Sequence, residues 1–138
     1  MNSFNNFEDM VARLFKDEAE ILNQLIQDPR RVYLIHAAMG IAGEAGELLD
    51  AVKKHVVYDK ELNMGNIIEE LGDMEFYMEA LRTKLNLTRE LTLRDNICKL
   101  TTRYGQSYSN QAAQKRKDKD ICMCDVEASV GCPIHSRI

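Results

Sequence analysis

Apolar residues recur at alternating spacings of four and three along much of the chain, which is the period of a helix that buries one face. The first such segment runs from Phe7 to Ile26 and has Glu18 inside its apolar stripe, where we expect a kink or a partly exposed stretch. Pro29 then ends this helix, because proline disfavours helical geometry in the residue before it. The pattern predicts one helix over 7–26, and the alternative for Glu18 is that its carboxylate meets a cation or a polar interface.

A second helix is predicted from Val32 to Val56, with a narrow apolar seam formed by Leu34, Ala38, Ile41, Ala45, Leu48, Val52 and Val56. Each interior glycine costs a helix about 1 kcal/mol relative to alanine. The helix nevertheless carries many small residues, namely Ala37, Ala38, Gly40, Ala42, Gly43, Ala45, Gly46 and Ala51. We therefore expect a slim helix that leaves room for a neighbouring backbone, or for an ion and its waters.

Two further helices are predicted downstream. Asn63 is placed to cap the third, whose apolar residues keep the same spacing at Ile67, Leu71, Met74, Met78, Leu81 and Leu85. The fourth is predicted to start at a Thr92 cap with Asp95 three residues later, and to stop at Gly105. Its seam consists of Leu93, Ile97, Leu100 and Tyr104.

The composition fits one compact all-α domain. The chain has 138 residues, of which 45% are hydrophobic, few are aromatic and none is tryptophan, a composition that favours helices packed on helices. Because the periodicity fades after Gln106, we predict a bundle of about four helices over residues 1–117 and a C-terminal tail over 118–138. Separate apolar seams in so short a chain also predict that a second copy completes the core.

The charge pattern excludes some classes of partner. A net charge of −4 gives no general affinity for nucleic acid, and Asp118 and Asp120 dilute the basic run after residue 114. No charged leader precedes an apolar run, and no 18 consecutive residues are apolar, so we expect a soluble cytoplasmic protein without a membrane partner. The spacing of the four cysteines is not that of a small secreted scaffold, so reduced thiols are expected.

Two pairs of carboxylates mark the candidate site. Glu44 and Glu47 are three residues apart on the second helix, and Glu70 and Asp73 repeat this spacing on the third. Each pair projects from one side of its helix, so an antiparallel packing of the two helices would bring all four into a common space. Such a group needs a counter-charge, which Mg²⁺ or Mn²⁺ supplies as a hard cation that prefers oxygen ligands.

These residues also carry a family resemblance. E-A-G-E at 44–47, E-E-L-G-D at 69–73 and N-I-C-K-L-T-T-R-Y at 96–104 resemble the motifs of the MazG-like all-α nucleoside triphosphate pyrophosphohydrolases. The resemblance extends over roughly residues 30–117. It implies a homodimer or homotetramer that uses divalent metal to hydrolyse a (deoxy)nucleoside triphosphate between its α and β phosphates, giving a monophosphate and pyrophosphate.

The resemblance also assigns roles to particular residues. It implies that the metal ligands are Glu44, Glu47, Glu70 and Asp73, and that one of these or Glu69 orients or deprotonates the attacking water. From the residues alone, Asn96, Lys99 and Arg103 share one helical face and are candidates to bind the phosphates, as is Lys54. An ordinary solvated face is the alternative interpretation of these polar residues.

The tail contains a separate candidate site. Cys122, Cys124, Cys132 and His135 provide four soft ligands within a short segment, enough for a tetrahedral structural Zn²⁺, although the C-x-C spacing is unusual. A flexible reduced tail is the alternative. A zinc-bearing tail would also suit a different class of function, a non-catalytic helical interaction module.

Overall fold

The computed structural model describes residues 4–119, which form α-helices and one 3₁₀ turn without any strand. The elements are α1 (Phe7–Leu14), α2 (Glu18–Gln27), α3 (Arg30–Tyr58), α4 (Met64–Leu85), α5 (Arg89–Tyr104), α6 (Asn110–Lys115) and the 3₁₀ turn Lys117–Lys119. The all-α prediction is confirmed. Contacts divide the chain into two compact units, the first ending at Asn86 and the second beginning at Leu87. The domain boundary after residue 117 stays a prediction.

The single helix predicted over 7–26 is two helices, because the chain leaves helical geometry between α1 and α2, just before Glu18. Phe15 leaves helical geometry after α1, and Asp17 caps α2 by accepting hydrogen bonds from the backbone N–H groups of Ala19 (2.9 Å) and Glu20 (3.1 Å). Glu18 therefore lies exposed in the first turn of α2 and not inside a buried stripe. A negative side chain is favourable there because it faces the positive end of the helix dipole.

The predicted ends of the next two helices are largely confirmed. α2 ends at Gln27, two residues before Pro29, and α3 then continues to Tyr58, where Asp59 adopts left-handed geometry with a φ of 53°. Asn63 caps α4 as predicted, since its side-chain oxygen accepts from the backbone N–H of Asn66 at 3.1 Å. A short connection thus joins two long helices that pack on each other.

The face that α3 packs against α4 differs from the predicted seam. Ala37 (3% exposed) and Ala51 (7%) are the buried residues of α3, and Gly40 contacts α4 directly. By contrast, Ala38, Ala45, Val52 and Val56 of the predicted seam are exposed, and Leu34, Ile41 and Leu48 are only half-buried. The packed face therefore keeps Leu34, Ile41 and Leu48 of the predicted seam but takes Ala37 and Ala51 in place of Ala38 and Val52. Small side chains at these positions let the two helices approach closely.

The start of the fourth predicted helix requires a correction. α5 begins at Arg89 and its cap is Thr88, whose Oγ1 accepts from the backbone N–H of Leu91 at 3.0 Å. Thr92 lies inside the helix, where its hydroxyl donates to the carbonyl of Arg89 at 2.8 Å. The predicted end is confirmed, since Gly105 has a φ of +66° and terminates α5.

An ion pair closes the second unit. Arg103 on α5 donates from two guanidinium nitrogens to the two carboxylate oxygens of Asp118, each at 2.6 Å. Both side chains are largely withdrawn from solvent, at 14% and 2% exposure. These hydrogen bonds, opposed by burial, lower the pKa of Asp118 to about 2. The pair therefore fastens the 3₁₀ turn to α5.

Large apolar side chains remain exposed across the first unit. Met39, Leu49, Val56 and Phe76 are each about two thirds exposed or more. In the described part of the chain, the only buried apolar residues are Ala37 and Ala51. Even so, no helix within residues 4–119 combines the length and apolarity needed to cross a membrane.

Candidate metal centre

Glu44, Glu47 and Glu70 meet between α3 and α4. Each offers a carboxylate oxygen, and the three oxygens lie within 4.8 Å of one another. Glu70 is buried with 5% exposure, Glu44 is half-buried and Glu47 is exposed. The group thus extends from the helix interface to the solvent, and it contains three of the four carboxylates that the sequence places in a common space.

The charge of this group is not balanced by the described side chains. Within residues 4–119, no lysine or arginine forms an ion pair with Glu44, Glu47 or Glu70. Glu70 does accept a hydrogen bond at Oε1 from the side-chain amide of Asn66, one turn earlier on α4. That amide satisfies an oxygen without supplying charge, and a buried charge without a counter-charge is strongly unfavourable.

The pKa of Glu44 reports this environment. Burial raises it most, followed by a side-chain hydrogen bond with Glu70 and by the negative charges of Glu47, Asp73 and Glu70. The raised pKa means that the carboxylate of Glu44 is harder to ionise beside the other acidic groups than it would be in water. A bound cation needs the ionised carboxylate, so binding should strengthen as the pH rises.

The donor set fits a hard divalent cation. All three ligand atoms are carboxylate oxygens, the type that Mg²⁺ and Mn²⁺ prefer. Ligands at about 2.1 Å from one ion lie no more than about 4.2 Å apart. A group of oxygens within 4.8 Å is already close to that limit, so a small contraction would complete the set.

The other two predicted acidic residues lie outside this group. Asp73 is exposed, and it acts on the cluster through its charge, which contributes to the raised pKa of Glu44. Glu69 is also exposed and precedes Glu70 on α4. Neither belongs to the three residues whose oxygens converge, so their predicted roles as ligand and as water-orienting base stay predictions.

The glycines of α3 do not all serve the purpose predicted for them. A Cβ atom on Gly40 would overlap the ring of Tyr77 on α4, so glycine is required where the two helices touch. Around Gly43 and Gly46, in contrast, a Cβ atom would meet no atom within 4 Å among the described residues. The close approach of the neighbouring helix therefore lies one turn before Glu44 and not at Gly43 or Gly46, where the predicted room for an ion and its waters stays a prediction.

Two of the candidate phosphate-binding residues, Arg103 and Lys54, form ion pairs with other side chains. Arg103 is held by Asp118 in the second unit, where Asn96 is exposed and Lys99 is half-buried. In the first unit, Lys54 pairs with Asp50 of the preceding turn at 2.7 Å, and both side chains are about half exposed. Phosphate binding by these four residues stays a prediction.

Asn66 is the site residue that sequence reasoning missed. A signal existed, because Asn66 precedes Glu70 by four residues and the two must share a helix face. It was masked by Asn63, whose capping role explains the local polar residues on its own. The candidate zinc ligands Cys122, Cys124, Cys132 and His135 lie outside the described residues.

Comparison with known proteins gives one match of partial coverage. The chain is 33% identical over 75 residues to the gene 37 protein of Mycobacterium phage L5. The match spans 51% of this chain and 65% of the phage protein, which is less than two thirds of its length. No family model matches the chain, and no solved structure matches it. The name of the phage protein states no activity, so the chemistry of the site must be judged from the carboxylates themselves.

Proposed function

We propose that this protein is a divalent-cation-dependent nucleoside triphosphate pyrophosphohydrolase of the MazG-like all-α type. What supports it is the convergence of Glu44, Glu47 and Glu70 within 4.8 Å, without a described lysine or arginine paired to them. Without a bound cation, an acidic group of this kind repels a polyphosphate. With a bound cation, the site attracts the polyphosphate. The motifs at 44–47, 69–73 and 96–104 direct the proposal to this reaction.

The role proposed for each carboxylate follows from how deeply it is buried. Glu70 is buried and fixed by Asn66, so it provides the rigid ligand, while Glu44 and Glu47 complete the set toward solvent. When bound, the cation neutralises phosphate oxygens and lowers the pKa of a bound water. The exposed Glu69 and Asp73 lie beside this set on α4 and are candidates to accept the proton of the attacking water.

Positive side chains are also required, because the leaving pyrophosphate carries charge that the ligands cannot offset. We assign this role to Lys99 and Arg103 of α5, with Asn96 as a neutral donor and Lys54 as a further cation. Arg103 would have to exchange the carboxylate of Asp118 for a phosphate group, which presents oxygens to a guanidinium in a similar forked geometry.

The direct test is hydrolysis by the purified full-length chain. A panel of ribo- and deoxyribonucleoside triphosphates would be incubated with Mg²⁺ or Mn²⁺, and pyrophosphate and monophosphate would be quantified. We expect equal amounts of both products from at least one nucleotide. Glu44→Gln and Glu70→Gln should each reduce kcat/KM by about 100-fold or more, since each removes a charged ligand of a catalytic metal.

Glu61→Gln provides the matched control. It makes the same chemical change in the connection between α3 and α4, outside the cluster, and should retain activity. Absence of pyrophosphate from every nucleotide, in protein whose circular dichroism shows the expected helix, would refute the enzyme. Release of phosphate in place of pyrophosphate would refute the position of cleavage.

The proposal includes the assembly and the place of action. A homodimer or homotetramer would cover the apolar residues that the first unit exposes, and the cytoplasm is where nucleoside triphosphates and Mg²⁺ are abundant. The substrate is thus a small anionic nucleotide, and the net charge of −4 gives no reason to expect binding to a nucleic-acid backbone.

A further inference from the structure

Gly40 of α3 lies directly against the ring of Tyr77 of α4. A Cβ atom built on Gly40 would overlap Cγ, Cδ1 and Cε1 of the tyrosine ring. Because Cγ is the ring atom nearest the backbone, a slight tilt of the ring would not relieve the overlap. Either Tyr77 would have to change rotamer or the two helices would have to separate.

Two further aromatic rings contact the ring of Tyr77. Phe76 lies edge-on to it with ring centroids 5.3 Å apart, and His36 contributes a second edge contact at 6.0 Å. His36 is one helical turn before Gly40, so the ring of Tyr77 sits against two successive turns of α3. A ring confined in this way acts as a spacer between the helices.

The spacer lies next to the carboxylate cluster along both helices. Gly40 precedes Glu44 by four residues on α3, and Tyr77 follows Asp73 by four and Glu70 by seven on α4. One helical turn is about 5.4 Å, so the separation set at this contact carries over to the acidic residues with little room to diverge. The cluster tolerates little divergence, because its oxygens already span up to 4.8 Å.

We infer that Gly40 and Tyr77 are positioning residues, which set the distance between α3 and α4 so that Glu44 and Glu70 can bind one divalent cation. This inference rests on the proposed metal site but not on nucleotide hydrolysis. The spacer role explains why α3 has a glycine at position 40, where alanine would be the better helix former. Gly43 lies in the same helix without such a neighbour among residues 4–119, and it offers a natural comparison.

The test measures Mn²⁺ binding to the full chain in the absence of nucleotide, by calorimetry and by the electron paramagnetic resonance signal of free Mn²⁺. Gly40→Ala should weaken binding by about tenfold or more, comparable to the loss of a group that orients a metal ligand. Gly43→Ala should bind as the unmodified protein does. Tyr77→Phe keeps the ring and should also bind normally.

The decisive comparison is made in a Tyr77→Ala background, where the ring is absent. There, Gly40→Ala should change the affinity for Mn²⁺ by less than about threefold, because the ring atoms that the new methyl group would overlap are absent. Equal weakening in both backgrounds, or no weakening in either, would overturn the inference. Absence of Mn²⁺ binding by the unmodified chain would instead refute the metal site itself.

Thermal unfolding of the same variants distinguishes a loss of folding from a change in the distance between the helices. Alanine stabilises a helix relative to glycine, so a variant that retains its helical signal and melting temperature yet binds Mn²⁺ poorly has lost spacing and not folding. If Gly40→Ala alone fails to fold, recovery of the fold by Gly40→Ala with Tyr77→Ala, with the same Mn²⁺ affinity as Tyr77→Ala alone, would support the contact between the methyl group and the ring as the cause. Failure of the double variant to recover would refute it.

Discussion

Glu70 is the buried residue of α4, and its oxygen accepts a hydrogen bond from Asn66. The spacing of acidic residues was sufficient to predict that α3 and α4 share a carboxylate group, because helical period alone decides which side chains lie on one face. It could not predict the depth of each member. Glu70 is buried and Asp73 exposed because depth depends on how the helices are rotated against each other, and side-chain period does not specify that rotation.

Asn66 gives a prediction for the metal centre. Replacing it with alanine removes the donor that fixes Glu70, so the carboxylate gains freedom and the affinity for Mn²⁺ should fall about 10- to 100-fold. Calorimetric titration of the purified variant measures this. Asn23→Ala, an exposed change on α2, is the matched control and should leave the affinity unchanged. An affinity of the Asn66→Ala variant within about twofold of the original would show that Asn66 does not orient Glu70.

Helix existence was predicted more reliably than helix ends or faces. The long apolar periods of α3 and α4 leave little alternative to helix. Helix starts are harder to predict, because Thr88 and Thr92 are both of a residue type that commonly caps helices. The local sequence does not discriminate between two such caps, and the helix starts at the earlier one. The face of α3 was predicted in part, because packing placed the small residues Ala37, Gly40 and Ala51 at the contact in place of the exposed seam residues Ala38 and Val52.

The two threonines give a prediction for α5. Thr88→Ala should lower the free energy of unfolding by about 1 kcal/mol, because the backbone N–H of Leu91 loses its acceptor. Thr92→Ala should be neutral or slightly stabilising, since alanine is the better residue inside a helix. Urea denaturation followed by circular dichroism compares the two variants. If Thr92→Ala lowered the free energy of unfolding more than Thr88→Ala, the result would support Thr92 as the cap.

The ion pair of the second unit gives a prediction for acid. Asp118 has its pKa lowered from the usual 3.8 to about 2 by Arg103, so the folded state prefers the carboxylate more than the unfolded state does. A lowered pKa adds stability that is complete above about pH 4 and is lost as the pH falls toward 2. Asp118→Asn should therefore be less stable than the original protein at pH 7, and the gap should close over this range.

Denaturation at several pH values measures the gap between the two proteins. Arg116 lies 3.9 Å from Asp118 and remains charged throughout, so it does not alter the direction of the effect. Asp95→Asn, which removes an exposed carboxylate from the same unit, should show a much smaller dependence on pH. A gap that is constant from pH 7 to pH 2 would mean that folding does not lower the pKa of Asp118.

Taken as a single chain, the described structure leaves much apolar surface in water. Surface of this extent on helices that bury only Ala37 and Ala51 is typical of subunits that complete their core by association. We expect light scattering coupled to gel filtration to give two or four times the mass of one chain. Val56→Glu, which places a charge at a 72% exposed position of α3, should shift the mass toward that of one chain.

Lys60→Glu controls for a new negative charge that lies outside the apolar surface, and it should leave the mass unchanged. A mass of one chain for the unmodified protein at micromolar concentration would contradict the assembly. It would also mean that the exposed apolar residues serve some other contact.

The pairing of Arg103 with Asp118 bears on how shortened forms of this protein should be made. Cutting after residue 117, where the sequence suggested that the helical domain stops, would discard the acidic half of the pair and leave a guanidinium without its acceptor. A truncation intended to separate the cysteine-containing segment from the helices should therefore retain residues through at least Lys119. Otherwise, damage to the second unit would be mistaken for an effect of the missing cysteines.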